Sequence, residues 1–261
     1  MKRWSILLFG FTSYLLFFAV FLYMVGFIGG FGVPTTLDGP ATRPLSEAVV
    51  IDGLLVLAFG LQHSVMARQG FKRWLTRLIP QPAERSVYVL ASNAALLLLF
   101  WQWRPLGGEI WHVENPNVVP LLWGLYAFGW LTVLTTTFLI NHFDLFGLRQ
   151  IWLYFRGRHY TQLPFVMPGP YQVVRHPLYV GWLTVFWATP WMTAAHLLFA
   201  VGMTVYILIA IVFEERDLVR MHHGYADYRR RVPMLIPRIC GAADLPEAAE
   251  SRRSRDQRIA S

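Results

Sequence analysis

One cysteine, Cys240, stands in a chain of 261 residues. A lone thiol can form no disulfide within the chain and no cysteine metal cluster, so Cys240 reads as an ordinary side chain near the tail. Charge is also scarce. Asp, Glu, Lys and Arg make up 15% of the residues, against roughly a quarter in soluble domains. The sequence has no glycine-rich phosphate loop of the soluble nucleotide-binding kind and no internal repeat. What it has is apolar length: 55% of the chain is hydrophobic, and several runs reach the roughly 17–25 residues that cross a bilayer. These features exclude an ordinary soluble domain and point to an all-α, polytopic membrane helix bundle whose outer surface meets lipid. In a soluble chain the net charge of +8 would suggest nucleic acid. Here no nucleic-acid partner is expected, because much of the excess lies in Arg-rich segments flanking apolar runs and in the tail.

In chain order, the first span runs from about Trp4 to Phe31 and ends at Gly29, Gly30, Gly32 and Pro34. It is too long for the apolar region of a signal peptide, and no convincing cleavage site follows. The second covers about Ala48 to Met66 and carries Asp52, Gln62 and His63. A connection dense in Arg68, Lys72, Arg73, Arg77 and Arg85 leads to a third span, about Ser86 to Trp103, and a fourth covers about Val118 to Ile140. The last apolar stretch, Leu178 to Phe213, is about twice one span and is broken by Thr189 and Pro190. It reads as a helical hairpin turning between Pro190 and His196. The total is five to six crossings, six if both arms of the hairpin span. The basic loops place both termini in the cytoplasm. Glu214 to Arg231 reads as an amphipathic helix on the membrane surface, ended by Pro233 and Pro237. The small, Arg- and Ser-rich segment 241–261 reads as a disordered tail.

The chemistry gathers around Gly169 to Gly181, GPYQVVRHPLYVG. Proline suits the first turn of a helix. Arg175 and His176 therefore sit at the lip of a buried helix beside its free N–H groups, a setting that favours an anion. The hairpin returns Glu214 and Glu215 to the same membrane face. Carboxylates at the mouth of a span are costly unless paired or functional. His63, toward the cytoplasmic end of the second span, reads either as a bundle histidine or as a substrate contact. Asn141, His142 and Asp144 look at first like metal ligands, but three polar groups at a span end read as a solvated cap, and no metal is assigned.

Three motifs in order, GPY-x3-RHP-x-Y-x-G, then Glu214-Glu215-x-x-Leu218, then Tyr225-x-x-Tyr228-x-x-x-Val232-Pro233, resemble the C-terminal half of the isoprenylcysteine carboxyl methyltransferase superfamily. Gly60 to Arg68 (GLQHSVMAR), Glu84-Arg85-Ser86-x-Tyr88 and Phe100 to Pro105 (FWQWRP) are similar to the nurim-type group of bacterial methanethiol S-methyltransferases. The chain departs from the prenylcysteine enzymes in one respect. They carry an arginine shortly before the glutamate pair, where this chain is apolar from Ile207 to Phe213.

The resemblance implies S-adenosylmethionine as methyl donor and a small thiol as acceptor. It divides the chain into an acceptor-side transmembrane bundle, 1–168, and a donor-binding region, 169–240. Within it, Arg175 and the helix N-terminus would hold the donor's carboxylate. Glu214 or Glu215 would hold its ammonium or ribose hydroxyls, and Tyr179, Tyr225 or Tyr228 its adenine or sulfonium. Tyr171 and Gly181 complete the donor set. His176, Glu214 and His63 are the candidate catalytic groups, with His176 near the donor and His63 near the acceptor. Methylation of a prenylated or lipid substrate, or a non-catalytic nurim-like membrane protein, are the rival readings.

Overall fold

A computed structural model describes residues 2–163, 167–222 and 224–238. Cys240 and the tail expected to be disordered lie outside the described residues. Helix α1 (Lys2–Gly29) leads to α2 (Leu45–Ala67), a short α3 (Gln69–Leu75) and α4 (Glu84–Gln102). Then come strand β1 (Glu109–His112), α5 (Val118–Ile140) and two short helices, α6 (His142–Leu145) and α7 (Leu148–Phe155). The chain closes with α8 (Pro177–Trp187), β2 (Trp191–Thr193), α9 (Ala194–Met221) and α10 (Tyr225–Arg231).

Among the described residues five helices are long and apolar enough to cross a membrane: α1, α2, α4, α5 and α9. The protein is an integral membrane protein. On α1, Leu8, Phe11, Leu15, Phe18 and Leu22 are exposed at three- and four-residue spacing, while Ser13, Val20, Met24 and Phe27 are buried. One stripe thus meets lipid and the other meets protein. Inside, Phe27, Phe100, Trp103, Phe186 and Phe199 pack ring on ring.

The hairpin expected at the end of the chain forms, but its first arm is not a full span. Helix α8 has 11 residues and rises about 16 Å at 1.5 Å per residue, half of a hydrocarbon core of about 30 Å. Pro190 has no N–H, and Thr189 before it is biased away from helix, so the arm continues in extended form. Backbone that leaves a helix needs other hydrogen-bond partners. Strand β2 supplies them by pairing antiparallel with β1, and Val113 N donates to Pro190 O at 2.8 Å. Below this join Thr193 and His196 both reach Asp38, at 2.5 and 3.2 Å, which pins the α1–α2 loop.

Helices α5 and α8 cross at glycines. A Cβ on Gly129 would lie 2.9 Å from Val185 Cγ2 and 3.0 Å from Gly181 O, and one on Gly181 would lie 2.9 Å from Val133 N. In lipid there is little hydrophobic drive between helices, so backbone-close packing of this kind supplies the contact energy.

The N-terminus of α1, the α2–α4 connection, α6 and α7, the start of α8 and the end of α9 share one end of the bundle. Contacts that place them there are Arg3 against Gly157, Gly10 against Ile151, Ser13 to Ser86, and Arg68 to Asp217. Helix α9 passes through the glutamate pair without a break, since Gly224 is the first breaker after Phe213. The expected surface helix from Glu214 is therefore the last two turns of α9 plus a separate seven-residue α10.

Candidate active site

The N-terminus of α8 and the last turns of α9 meet at the basic end of the bundle. Arg175 Nε donates to Glu215 Oε1 at 2.7 Å, and His176 Nε2 lies 3.1 Å from the same oxygen. Glu215 is buried, and Arg229 stands 3.8 Å from its other oxygen. Arg175 Nη1 donates to Val232 O and Arg229 O, at 2.5 and 3.0 Å. The backbone amides of Arg175 and His176 donate to Pro233 O and Met234 O. The segment after α10 is thereby stitched across the start of α8.

This geometry sharpens the expectation. Arg175 and His176 do sit at the start of α8, with their own N–H groups taken by residues 233 and 234. The guanidinium of Arg175 is largely committed as well, with Nη2 its remaining nitrogen without a protein bond among the described residues. The two glutamates also part company. Glu215 is the buried anchor, whereas Glu214 is exposed and accepts from Tyr179 Oη at 2.9 Å. Successive residues on a helix point about 100° apart, so one glutamate faces the α8 start and the other the mouth of the bundle.

Tyrosines surround these groups. Tyr228 donates to Tyr171 O at 2.6 Å, and Tyr225 and Tyr228 meet edge to face. Burial, with the charge of Glu214 adding to it, raises the phenol of Tyr171 above its ordinary value. Burial, then Glu215 and Glu214, does the same for Tyr225. These hydroxyls stay protonated, as neutral donors beside a carboxylate. Gly181 is not with them. It lies at the α5–α8 crossing, where its missing side chain serves helix packing.

A second polar group occupies the interior toward α2 and α4. His63 Nε2 is 2.8 Å from Tyr88 Oη and its Nδ1 is 3.3 Å from Ser92 Oγ. The ring of Tyr206 on α9 lies 6.4 Å from that of His63 and packs over Gly60. Glu214 with Tyr179 marks one polar group, and His63 with Tyr88, Ser92 and the ring of Tyr206 marks the other. Sequence reasoning missed Tyr206, Ser92 and Arg229, because a tyrosine in an apolar run or an arginine in a basic cluster gives no periodic signal.

His142 also departs from expectation. It is buried, not solvated, between Tyr14 Oη at 2.9 Å and Thr137 Oγ1 at 2.8 Å. Asn141, in the left-handed region, caps α6, and Asp144 pairs with Arg149. On the outer side of the α8–α9 pair, an apolar groove of about 610 Å³ is lined by Val180, Leu183, Leu208 and Met234 to Ile236.

No family model and no solved structure matches the chain. Among curated proteins, the methanethiol S-methyltransferase of Crocosphaera subtropica is 55% identical over 91% of this chain and 93% of its own length. That of Mycobacterium tuberculosis is 52% identical over 91% of this chain and 98% of its own. The chain belongs to the methanethiol S-methyltransferase family. Nurim of Bos taurus is a more distant relative, 28% identical over 75% of the chain and 79% of its own length. Members of the methanethiol S-methyltransferase family are methyltransferases by name, so a methyl donor and a small thiol must meet within a fold of this kind.

Proposed function

We propose that this protein methylates methanethiol to dimethyl sulfide, with S-adenosylmethionine as donor and hydrogen sulfide as a second acceptor that would yield methanethiol. The observation that carries the reading is the pairing of an exposed carboxylate, Glu214, with a tyrosine-lined mouth at the end of a membrane bundle, in a chain of this family. The donor is cationic at sulfur and nitrogen and anionic at its carboxylate. Glu214, held by Tyr179, suits the ammonium or the ribose hydroxyls. Tyr171, partly accessible, offers a neutral hydroxyl and a ring face for the sulfonium or adenine, with Tyr225 and Tyr228 buried against each other behind it. Nη2 of Arg175, without a bond among the described residues, suits the carboxylate. Glu215, itself bonded by His176, keeps Arg175 in place.

S-Adenosylmethionine, when bound, supplies a methyl group on a good leaving group. The protein's part is to position the acceptor, exclude water and relieve the thiol of its proton. A free cysteine thiol has a pKa of about 8.5, and a simple alkyl thiol, no more acidic, is mostly protonated at neutral pH. We place the donor on the segment from Gly169 onward and the acceptor on the α2–α4 side, with both termini in the cytoplasm of a bacterial inner membrane. The basic end of the bundle supports that orientation. Labelling of a cysteine at position 156 by an impermeant reagent from outside intact cells would overturn it. Titration of S-adenosylmethionine into purified protein tests the donor. Saturable binding is expected, and its absence would favour a non-catalytic, nurim-like role. The outer groove favours one other reading, a lipid-like acceptor. Methylation of a long-chain thiol in preference to methanethiol would support it.

A further inference from the structure

We infer that Tyr88, rather than a histidine, is the group that touches the acceptor thiol, and that it passes the thiol's proton to His63 behind it. This rests on the thiol methylation proposed above. Both nitrogens of His63 are already engaged, so neither offers a free lone pair to a substrate. The hydrogen bonds favour one tautomer, since the alternative bond from Tyr88 Oη to His63 O is long at 3.5 Å. Ser92 Oγ lies 3.0 Å from Tyr88 O, the carbonyl four residues before it, and donates there as helical serines do. Its oxygen is then an acceptor, taking Nδ1–H of His63 at 3.3 Å and an N–H of Gln62 at 3.3 Å. His63 Nε2 is therefore bare, and it accepts the phenolic proton of Tyr88 at 2.8 Å. The phenol oxygen keeps its lone pairs for something else. Tyr88 is partly accessible, and the ring of Tyr206 on α9 stands 6.4 Å from that of its partner His63. His176 is not placed for this work, since its Nε2 is held by Glu215.

The step balances. The thiol's S–H proton moves to Tyr88 Oη as the phenol's own proton moves to His63 Nε2. Tyr88 is neutral before and after, His63 becomes imidazolium, and the thiol becomes thiolate. The thiolate's electron pair forms the new S–CH3 bond, and the bond from the methyl carbon to the donor's sulfur breaks with its electrons staying on that sulfur. His63 then returns its proton to water. Ser92 is a positioning residue that holds His63 in the accepting tautomer.

Tyr88→Phe keeps the ring and removes the relay. At pH 7 it should lower kcat/KM for methanethiol by on the order of 10²-fold, the usual size of general acid–base assistance, with donor affinity unchanged. The defect should shrink as pH rises and the thiol ionises unaided, and a more acidic thiol should be methylated with a smaller defect. His63→Gln should act alike, and the double variant should be little worse than either single one. Independently of turnover, nitrogen NMR of labelled His63 should show the Nδ1–H tautomer, with the Nε2 signal moving in Tyr88→Phe and the Nδ1 signal in Ser92→Ala. An Nε2–H tautomer would overturn the relay, as would a Tyr88→Phe enzyme with the wild-type pH profile, and thiol methylation would stand in either case. A wild-type protein that methylates no thiol would remove the function and the relay together.

Discussion

Arg175 and Glu215, forty residues apart in sequence, are joined by a 2.7 Å hydrogen bond with both side chains about 10% exposed. This pair ties the start of α8 to the end of α9, and through Nη1 it ties both to the carbonyls of Arg229 and Val232. Buried ion pairs add little net stability, but removing one partner leaves a buried charge and two orphaned carbonyls. Arg175→Ala should therefore cost about 3–5 kcal/mol of stability, together with donor binding. Arg175→Lys should not rescue it, because an ammonium cannot reproduce the planar fork. Thermal unfolding in detergent with donor titration checks this. Donor affinity lost at full stability would instead make Arg175 a direct ligand and nothing more.

Glu214 should behave differently from its neighbour. Glu214→Gln removes a charge from an exposed position, so the fold should survive while donor affinity falls by about 1–3 kcal/mol. Glu215→Gln should destabilise the protein. Equal effects of the two changes on unfolding temperature would erase the distinction between anchor and ligand.

Gly181 should tolerate no side chain. A Cβ there meets the backbone nitrogen of Val133 at 2.9 Å, and backbone cannot rotate away as a side chain can. Gly181→Ala should lower stability by about 1–3 kcal/mol, with turnover lost in proportion to folded protein. Unfolding midpoints set against activity per folded molecule separate packing from a donor contact.

His142 gives the protein a pH dependence outside the site. Burial lowers its pKa below the ordinary value of 6.5. As pH falls below about 6.5, the unfolded chain takes up a proton that the folded chain refuses. Stability is then full above that value and is lost as pH drops toward the folded pKa. Unfolding temperature should fall between pH 7.5 and 5.5 in the wild type, and less in His142→Gln, which retains polar contact with Tyr14 and Thr137.

Much of this was legible in the chain. The runs that became α1, α2, α4 and α5 are predominantly apolar and long enough to cross a bilayer. The expected fourth span and α5 coincide, Val118 to Ile140. The motif from Gly169 to Gly181 located the start of α8, because Pro177 marks a first turn. What the sequence concealed depended on tertiary partners. Thr189 and Pro190 announced a break, but not that β2 would pair with β1 and leave α8 half-length. The Arg175–Glu215 bond was invisible because a charge does not declare whether it faces ligand or protein. Tyr206 and Ser92 carry no pattern of their own and matter only beside His63.

The central claim is that this chain moves a methyl group from S-adenosylmethionine to methanethiol, and the most direct test follows the methyl itself. Purified protein would be given donor deuterated in its transferable methyl, together with unlabelled methanethiol, and the headspace gas read by mass spectrometry. The account predicts dimethyl sulfide carrying one deuterated and one ordinary methyl group. Only unlabelled methanethiol, from a folded protein that binds the donor, would contradict it.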